Sequence, residues 1–216
     1  MERKSKKTLF IALSLLAAFV IWTLLLTVVD VQPIGAQGTS VGFATLNRFV
    51  RDAVGNNLTL YIITDWLGLV PIAVAFAFAM LGLAQWIKRK SFFKVDKSIL
   101  ALGVFYIAVM SVYLLFEFVV INYRPILISG YLEASYPSST TMLVMTVMPT
   151  AIIQLNMRLK GKALRLIFSS LIIAFIAFTV VGRIVSGVHW ISDIIGGALF
   201  SAGAVLGYYF AVKNIE

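Results

Sequence analysis

Six long apolar segments constrain this chain more than any other feature of its sequence. Each is close to the roughly 20 residues that an α-helix needs to cross a bilayer. With 61% hydrophobic and only 12% charged residues, the chain is too apolar for a soluble domain. The sequence therefore predicts an all-α integral membrane protein, a six-transmembrane-helix bundle that forms a single membrane domain over residues 1–216. The predicted spans are approximately 8–29, 59–87, 98–121, 139–157, 165–182 and 190–212.

The loops between these segments alternate in charge, which predicts the topology. Basic residues accumulate in the cytoplasmic loops of membrane proteins. Fourteen of the 18 basic residues fall on one side of the predicted membrane: Arg3, Lys4, Lys6, Lys7, Lys88, Arg89, Lys90, Lys94, Lys97, Arg158, Lys160, Lys162, Arg165 and Lys213. We therefore expect a multi-pass protein of the cell membrane with both termini in the cytoplasm. The net charge of +9 is then a topology signal, and nucleic-acid binding is not expected.

Two further segments bear on the architecture. The apolar run 8–29 is longer than the apolar region of a signal peptide, so we expect it to be retained as the first span. In the first outer loop, residues 41–54 carry apolar side chains at positions 43, 46, 50, 53 and 54, which is the spacing of an amphipathic helix. Such a helix either lies in the membrane interface or packs on the bundle.

The single histidine of the chain, His189, lies between Arg183 and Asp193. If residues 189–193 are helical, His189 and Asp193 lie one turn apart on the same face. The carboxylate then accepts a proton from one ring nitrogen and leaves the other exposed, which is the arrangement of an oriented nucleophile or base. The alternative is structural, a lone histidine near an interface with a helix-capping aspartate.

Two other polar stretches are expected at the same outer end of the bundle. Residues 122–125 follow the third apolar segment, and residues 136–141 begin the fourth with several hydroxyl groups. Guanidinium groups and a helix N-terminus both present donors and positive potential to a phosphate. An imidazole aimed at the phosphorus is a nucleophile. The absence of cysteine and the single histidine exclude thiolate and histidine-rich metal sites, and no metal or other cofactor is expected.

These residues resemble the three motifs of the membrane-bound type 2 phosphatidic acid phosphatase family, integral-membrane lipid phosphatases with a six-helix core. Arg183, His189 and Asp193 match the third motif, which is Arg, five residues, His, three residues and Asp. The first motif ends in Arg-Pro, as residues 124–125 do, and the second opens with Pro-Ser, as residues 137–138 do. The resemblance covers essentially the whole chain. It implies that His189 attacks phosphorus to form a phosphohistidine and that Asp193 orients it.

The resemblance also implies which residues bind the phosphate of a phosphorylated membrane lipid. The positions that match the family's phosphate ligands, or that follow them at the start of the fourth segment, are Arg124, Arg183, Ser138, Ser139 and Thr140.

The chain departs from the family pattern at three positions. Glu117 stands where the family has a lysine, Thr140 where it has the histidine that acts as general acid, and Gly182 where a serine is common. Protonation of a lipid alkoxide in the transition state contributes about 10²–10⁴ in rate. A phosphate-monoester leaving group, with a second pKa of about 6, departs largely unprotonated. The chain is therefore expected to prefer a lipid pyrophosphate, such as a polyprenyl pyrophosphate of cell-envelope synthesis.

Several alternatives stay open at this stage. Glu117 is either the missing acid or an ion-pair partner of Arg124, and Thr140 or Thr141 is a possible relay of a proton through water. The chain as a whole is alternatively a catalytically silent relative that binds or moves a phosphorylated lipid. A third alternative is phosphoryl transfer from the same histidine to an acceptor other than water.

Overall fold

The computed structural model describes residues 2–215, and side chains from residue 5 onward, so Arg3 and Lys4 of the N-terminal basic group lie outside the described side chains. Within these residues the chain forms eight α-helices, two short 3₁₀ helices and no named strand. The α-helices are α1 (Glu2–Leu26), α2 (Ala44–Val54), α3 (Leu58–Leu67), α4 (Leu69–Arg89), α5 (Lys97–Phe118), α6 (Ser139–Arg158), α7 (Lys162–Val185) and α8 (Ile191–Ile215).

Six helical segments in the described part of the chain are long and apolar enough to cross a membrane. They are α1, α3 with α4, α5, α6, α7 and α8, so the predicted six-transmembrane-helix fold is confirmed. The helix ends differ from the predicted spans. Helix α7, for example, continues through charged residues at both ends, because hydropathy marks only the part in hydrocarbon whereas backbone hydrogen bonds continue beyond it.

The second span, predicted as one helix over residues 59–87, is two helices that meet at Gly68. Pro71 lies in the first turn of α4. A proline ring clashes with the carbonyl four residues earlier and has no N–H to donate, so a continuous helix through Leu67 is disfavoured. A Cβ at Gly68 would lie 2.8 Å from the Asp65 carbonyl oxygen. The break leaves α3 packed against α7, at the end of the bundle where α7 stops.

Helix α8 lies at the centre of the bundle, where it packs against α1 and α6. An aromatic cluster fills the space between these helices: the Phe19 and Phe200 ring centroids are 5.4 Å apart, and Phe116 meets Tyr136 edge-on at 5.5 Å. Tyr136 fits only because residue 196 is glycine, since a Cβ there would lie 2.4 Å from the tyrosine ring. This packing anchors the loop that enters α6.

The two ends of the bundle differ in chemistry. The chain runs from Ser139 to Arg158 in α6 and returns from Lys162 to Val185 in α7, so the basic loop between them lies far from the α7–α8 junction. At that basic end, Asp96 joins two loops through Arg89 at 2.8 Å and Arg158 at 3.2 Å. The opposite end carries the polar residues described below.

Within the predicted amphipathic segment 41–54, residues 44–54 form α2, which packs on the N-terminal end of α8 and also presents apolar side chains outward. Asn47, 1% exposed, donates to the Ser192 hydroxyl at 3.0 Å and accepts from the Ser192 backbone N–H at 3.1 Å. On the other side of the helix Phe49 is 72% exposed. Helix α2 therefore packs on the bundle and also has an apolar side suited to the membrane interface.

Candidate functional site

Three loop ends converge at one end of the bundle and bring Arg124, Arg183, His189 and Asp193 together. His189 precedes α8, which begins at Ile191, so the assumption that residues 189–193 are all helical is wrong. The chain turns sharply before the histidine, at Gly187 with φ of 64°. A Cβ at that glycine would lie 1.9 Å from the Gly55 carbonyl oxygen, so only glycine permits this turn.

Asp193 does not hydrogen-bond His189 directly. The distance from Asp193 Oδ2 to His189 Nδ1 is 3.8 Å, which is too long for a hydrogen bond. The Ser135 hydroxyl is closer to both groups, at 3.2 Å from Nδ1 and 2.5 Å from Oδ2. Sequence reasoning did not identify Ser135, because it lies in a loop outside the three motifs.

The carboxylate of Asp193 is fully buried and held by several other donors. The Trp190 backbone N–H donates to Oδ2 at 3.0 Å, and Asn122 Nδ2 donates to Oδ1 at 3.0 Å. The Ser192 hydroxyl lies 3.4 Å from Oδ1. Asp193 also lies in the first turn of α8, where the helix dipole favours a negative charge. The carboxylate is therefore fixed in position on both oxygens.

The other ring nitrogen of His189 faces two guanidinium groups. Arg124 Nη1 lies 3.2 Å and Arg183 Nη2 3.1 Å from His189 Nε2. Guanidinium groups only donate hydrogen bonds, so Nε2 must accept them and carry a lone pair. The network therefore assigns the ring proton to Nδ1, on the side of Ser135.

The imidazole of His189 is neutral in this environment. Burial, and then the positive charges of Arg124 and Arg183, lower the pKa of His189 well below its usual value. A neutral imidazole with a lone pair on Nε2 is the nucleophilic form of histidine. The arrangement therefore suits attack on an electrophile that the two guanidinium groups also hold.

Arg183 is fully buried and is positioned by α3. Its Nη1 lies 3.4 Å from the Thr64 hydroxyl and 3.5 Å from Asp65 Oδ1, and its guanidinium carbon lies 4.9 Å from the centre of the Tyr61 ring. Gly182, one departure from the family pattern, also lies against α3. A Cβ at Gly182 would lie 2.6 Å from Thr64 Cγ2, so the serine common in the family would require Thr64 or α3 to shift.

Arg124 pairs with a carboxylate of the neighbouring loop. Its Nε lies 3.0 Å from Glu133 Oε2, and its guanidinium carbon lies 5.7 Å from the Tyr61 ring centre. Among the described side chains no ion pair joins Arg124 to Glu117, so that open alternative is wrong in this structure. Glu117 is exposed and lies beside Tyr113.

A cavity of about 510 Å³ opens over these residues. Its lining includes Arg124, Ser139 and His189, and also the carboxylates of Glu117 and Glu133. An adjoining apolar groove of about 380 Å³ runs between α4, α5 and α6. Tyr113 and Ser139 line both spaces, so the polar cavity and the apolar groove are adjacent.

The hydroxyl groups predicted to bind phosphate take different positions at the start of α6. Ser139 faces the cavity, whereas Thr140 lines the apolar groove together with Asp65. The hydroxyls of Ser138 and Thr141 are buried without a hydrogen-bond partner within the described residues. Buried hydroxyls without partners are uncommon in proteins and mark places where a ligand or water completes the site.

No group of three or more His, Asp or Glu side chains between residues 5 and 215 is arranged to hold a metal ion. The candidate site therefore consists of guanidinium, imidazole, carboxylate and hydroxyl groups.

The comparisons with known proteins agree with this arrangement. The sequence model of the PAP2 superfamily matches residues 117–216, which include all of the motif residues. A transmembrane PAP2-type phosphatidylglycerolphosphate phosphatase from Bacillus subtilis has a similar solved structure, with a TM-score of 0.52 over 94% of both chains. Their sequences are 19% identical, so this likeness concerns the fold. No curated protein sequence matches the chain significantly.

The charge state of His189 is directly measurable because the chain contains one histidine. In protein with a histidine-free tag, the imidazole NMR signals are expected to remain those of the neutral ring at pH 6.5, since burial and two guanidinium groups lower the pKa. Orthophosphate is expected to raise the midpoint, because an anion stabilises the imidazolium. In the absence of phosphate, Arg124→Gln should raise the midpoint of the His189 titration, because it removes one of the two positive charges. A midpoint at or above about 6.5 in the free protein would contradict the described electrostatics.

Proposed function

We propose that this chain, whose residues 117–216 match the sequence model of the PAP2 superfamily, is an integral-membrane phosphatase that removes a phosphoryl group from a lipid through a phosphohistidine on His189. The observation that carries this proposal is the convergence of two buried guanidinium groups on the lone pair of His189 Nε2, at 3.1 and 3.2 Å. A phosphate that binds the same two guanidinium groups lies next to Nε2, so this nitrogen is suited to attack the phosphorus.

The proposed reaction has two steps. Nε2 of His189 attacks phosphorus, the bond from phosphorus to the leaving oxygen breaks, and that oxygen takes the electron pair. Water then attacks the phosphohistidine, and Nε2 and inorganic phosphate are released. Arg124 and Arg183 exchange their contacts with Nε2 for the equatorial phosphate oxygens, where charge spreads in the transition state. Ser139 and the first N–H groups of α6 add donors.

The apolar groove supports a lipid as the substrate. Its walls are side chains such as Leu69, Ile72, Met110 and Leu143, and it borders the polar cavity at Tyr113 and Ser139. A molecule with a phosphate headgroup and a long apolar tail fits two spaces of this kind, because the headgroup stays with the polar donors while the tail remains in an apolar environment.

The leaving group is proposed to be a lipid phosphate, so that the preferred substrate is a lipid pyrophosphate of the polyprenyl type. Thr140 occupies the position of the family's general acid and has no acidic proton to give. A departing phosphate monoester needs little protonation, whereas a lipid alkoxide needs a proton. A pyrophosphate is therefore the substrate class that this chain's residues are best suited to cleave.

A second candidate, hydrolysis of a lipid phosphate monoester, is favoured by the acidic lining of the cavity. Glu117 and Glu133 both line it, and Glu133 already pairs with Arg124. These carboxylates oppose the binding of a second phosphate group, and the Glu117 carboxyl is a candidate proton donor to an alkoxide. The two candidates predict opposite substrate preferences.

The active site is proposed to face away from the cytoplasm. The basic loops lie at the other end of the bundle, and basic loops remain in the cytoplasm. The chain has no cysteine, so single-cysteine variants carry no background label. In intact cells a membrane-impermeant maleimide is expected to label Asp52→Cys but not Lys160→Cys, and both after lysis. Labelling of position 160 alone in intact cells would indicate the opposite orientation and contradict this proposal.

Phosphate release from purified protein tests the proposed function. A panel of lipid monophosphates and pyrophosphates is expected to show release by the wild type and a loss of at least about 10³-fold in His189→Ala, because the nucleophile is gone. Gly207→Ala is a suitable control, because an added Cβ at that position meets nothing within 4 Å. Equal release by wild type and His189→Ala would contradict the enzyme proposal, and no release by either would favour a silent relative. Faster monoester than pyrophosphate hydrolysis would favour the second candidate.

Restoring the missing acid tests the leaving-group argument. Thr140→His is expected to raise monoester turnover by about 10²-fold or more, with a much smaller change for pyrophosphate, because only the alkoxide requires a proton. Thr140→Gln, which adds similar bulk without an acidic group, is the matched control and should show no such selectivity. An equal gain on both substrate classes would contradict the argument.

A further inference from the structure

We propose that Ser135 is a positioning residue whose hydroxyl transmits the negative charge of Asp193 to the imidazole of His189. Ser135 lies in the loop between α5 and α6, outside the three sequence motifs. The inference rests on the proposed role of His189 as the nucleophile, and it adds a residue on which that role depends.

The hydrogen-bond geometry allows one direction only. A hydroxyl has one proton to donate, and an ionised carboxylate only accepts. The Ser135 hydroxyl therefore donates to Asp193 Oδ2 at 2.5 Å, and its oxygen accepts from His189 Nδ1–H at 3.2 Å. The opposite ring nitrogen accepts from two guanidinium groups, which requires the same tautomer. The contacts of both ring nitrogens therefore place the proton on Nδ1.

Asp193 is held too firmly to replace the serine. Its Oδ1 accepts from Asn122 at 3.0 Å, and its Oδ2 accepts from the Trp190 backbone N–H at 3.0 Å. Closing the 3.8 Å gap to His189 Nδ1 would require the carboxylate or the imidazole to move away from its present contacts. Loss of the Ser135 hydroxyl therefore leaves the gap open.

The backbone holds Ser135 in place independently of its hydroxyl. Its N–H donates to the Asn122 carbonyl at 3.0 Å, and the next residue, Tyr136, is anchored in the aromatic cluster. Removing the hydroxyl is therefore expected to leave the loop in position and to remove only the connection to the carboxylate.

This connection matters most when the imidazole becomes charged. As the bond between Nε2 and phosphorus forms, positive charge develops on the ring, and a carboxylate coupled through one hydroxyl stabilises it. Hydrogen bonds to charged groups are the strong ones in a buried, low-dielectric site. The link through Ser135 is thus expected to affect the chemical step more than substrate binding.

The kinetic test compares Ser135→Ala, Asp193→Asn and the double variant. Ser135→Ala is expected to lower kcat about 10- to 100-fold, the size of one charged hydrogen bond, with KM little changed. Because Ser135 acts through Asp193, the double variant should be no slower than Asp193→Asn alone. Ser135→Thr should restore kcat. Ser111→Ala, which removes an exposed hydroxyl bonded only within its own helix, is the matched control.

A turnover-independent readout uses the single histidine. With orthophosphate bound, the midpoint of the imidazole NMR titration should be lower in Ser135→Ala than in the wild type, because the imidazolium loses its link to the carboxylate. If the alanine variant does not fold, Ser135→Cys, whose thiol is a weak donor, is expected to give the same shift.

Three results would overturn the inference: wild-type kcat in Ser135→Ala, kinetic losses that multiply in the double variant, or an unchanged titration midpoint. If any of these results is found while His189→Ala is inactive, only the inferred role of Ser135 is contradicted. A fully active His189→Ala would instead contradict the proposed function itself.

Discussion

Two guanidinium groups buried against one neutral imidazole nitrogen are the constraint on which the rest of this site depends. Arg124 and Arg183 are 8% and 0% exposed, and both approach His189 Nε2. Like charges this close repel in a low-dielectric site, and the carboxylates that pair with them, Glu133 and Asp65, are 41% and 56% exposed in their side chains. This unbalanced positive charge supports the proposal that an anion binds between them.

The helices are arranged to keep these charges in position. The break at Gly68 frees α3 to lie against α7, where Thr64 and Tyr61 contact Arg183. On the other side of the ring, the loop from α5 to α6 delivers Ser135 beside Asp193. The family match begins at residue 117, so α3 supports the site from a part of the chain that the match does not include.

Much of the fold was predictable from sequence, because hydropathy directly reports the length of a helix in hydrocarbon. The motif spacing also predicted His189, Arg183, Asp193 and Arg124 as site residues, and the structure brings these four side chains together. The sequence did not predict the break at Gly68, which depends on one proline, or the contact of Thr64 with Gly182. Ser135 was not predicted from the sequence, because serine is a common residue and the proposed role of Ser135 depends on a loop conformation set by tertiary packing.

The most direct test of the central claim is to trap the intermediate on the protein. Protein mixed with a lipid pyrophosphate labelled in its terminal phosphate is quenched in base within the first turnovers and mapped by mass spectrometry. The account predicts an acid-labile phosphoryl group on the peptide that contains His189, the only histidine of the chain. Rapid phosphate release with no phosphohistidine, or a phosphoryl group on another residue, would contradict it.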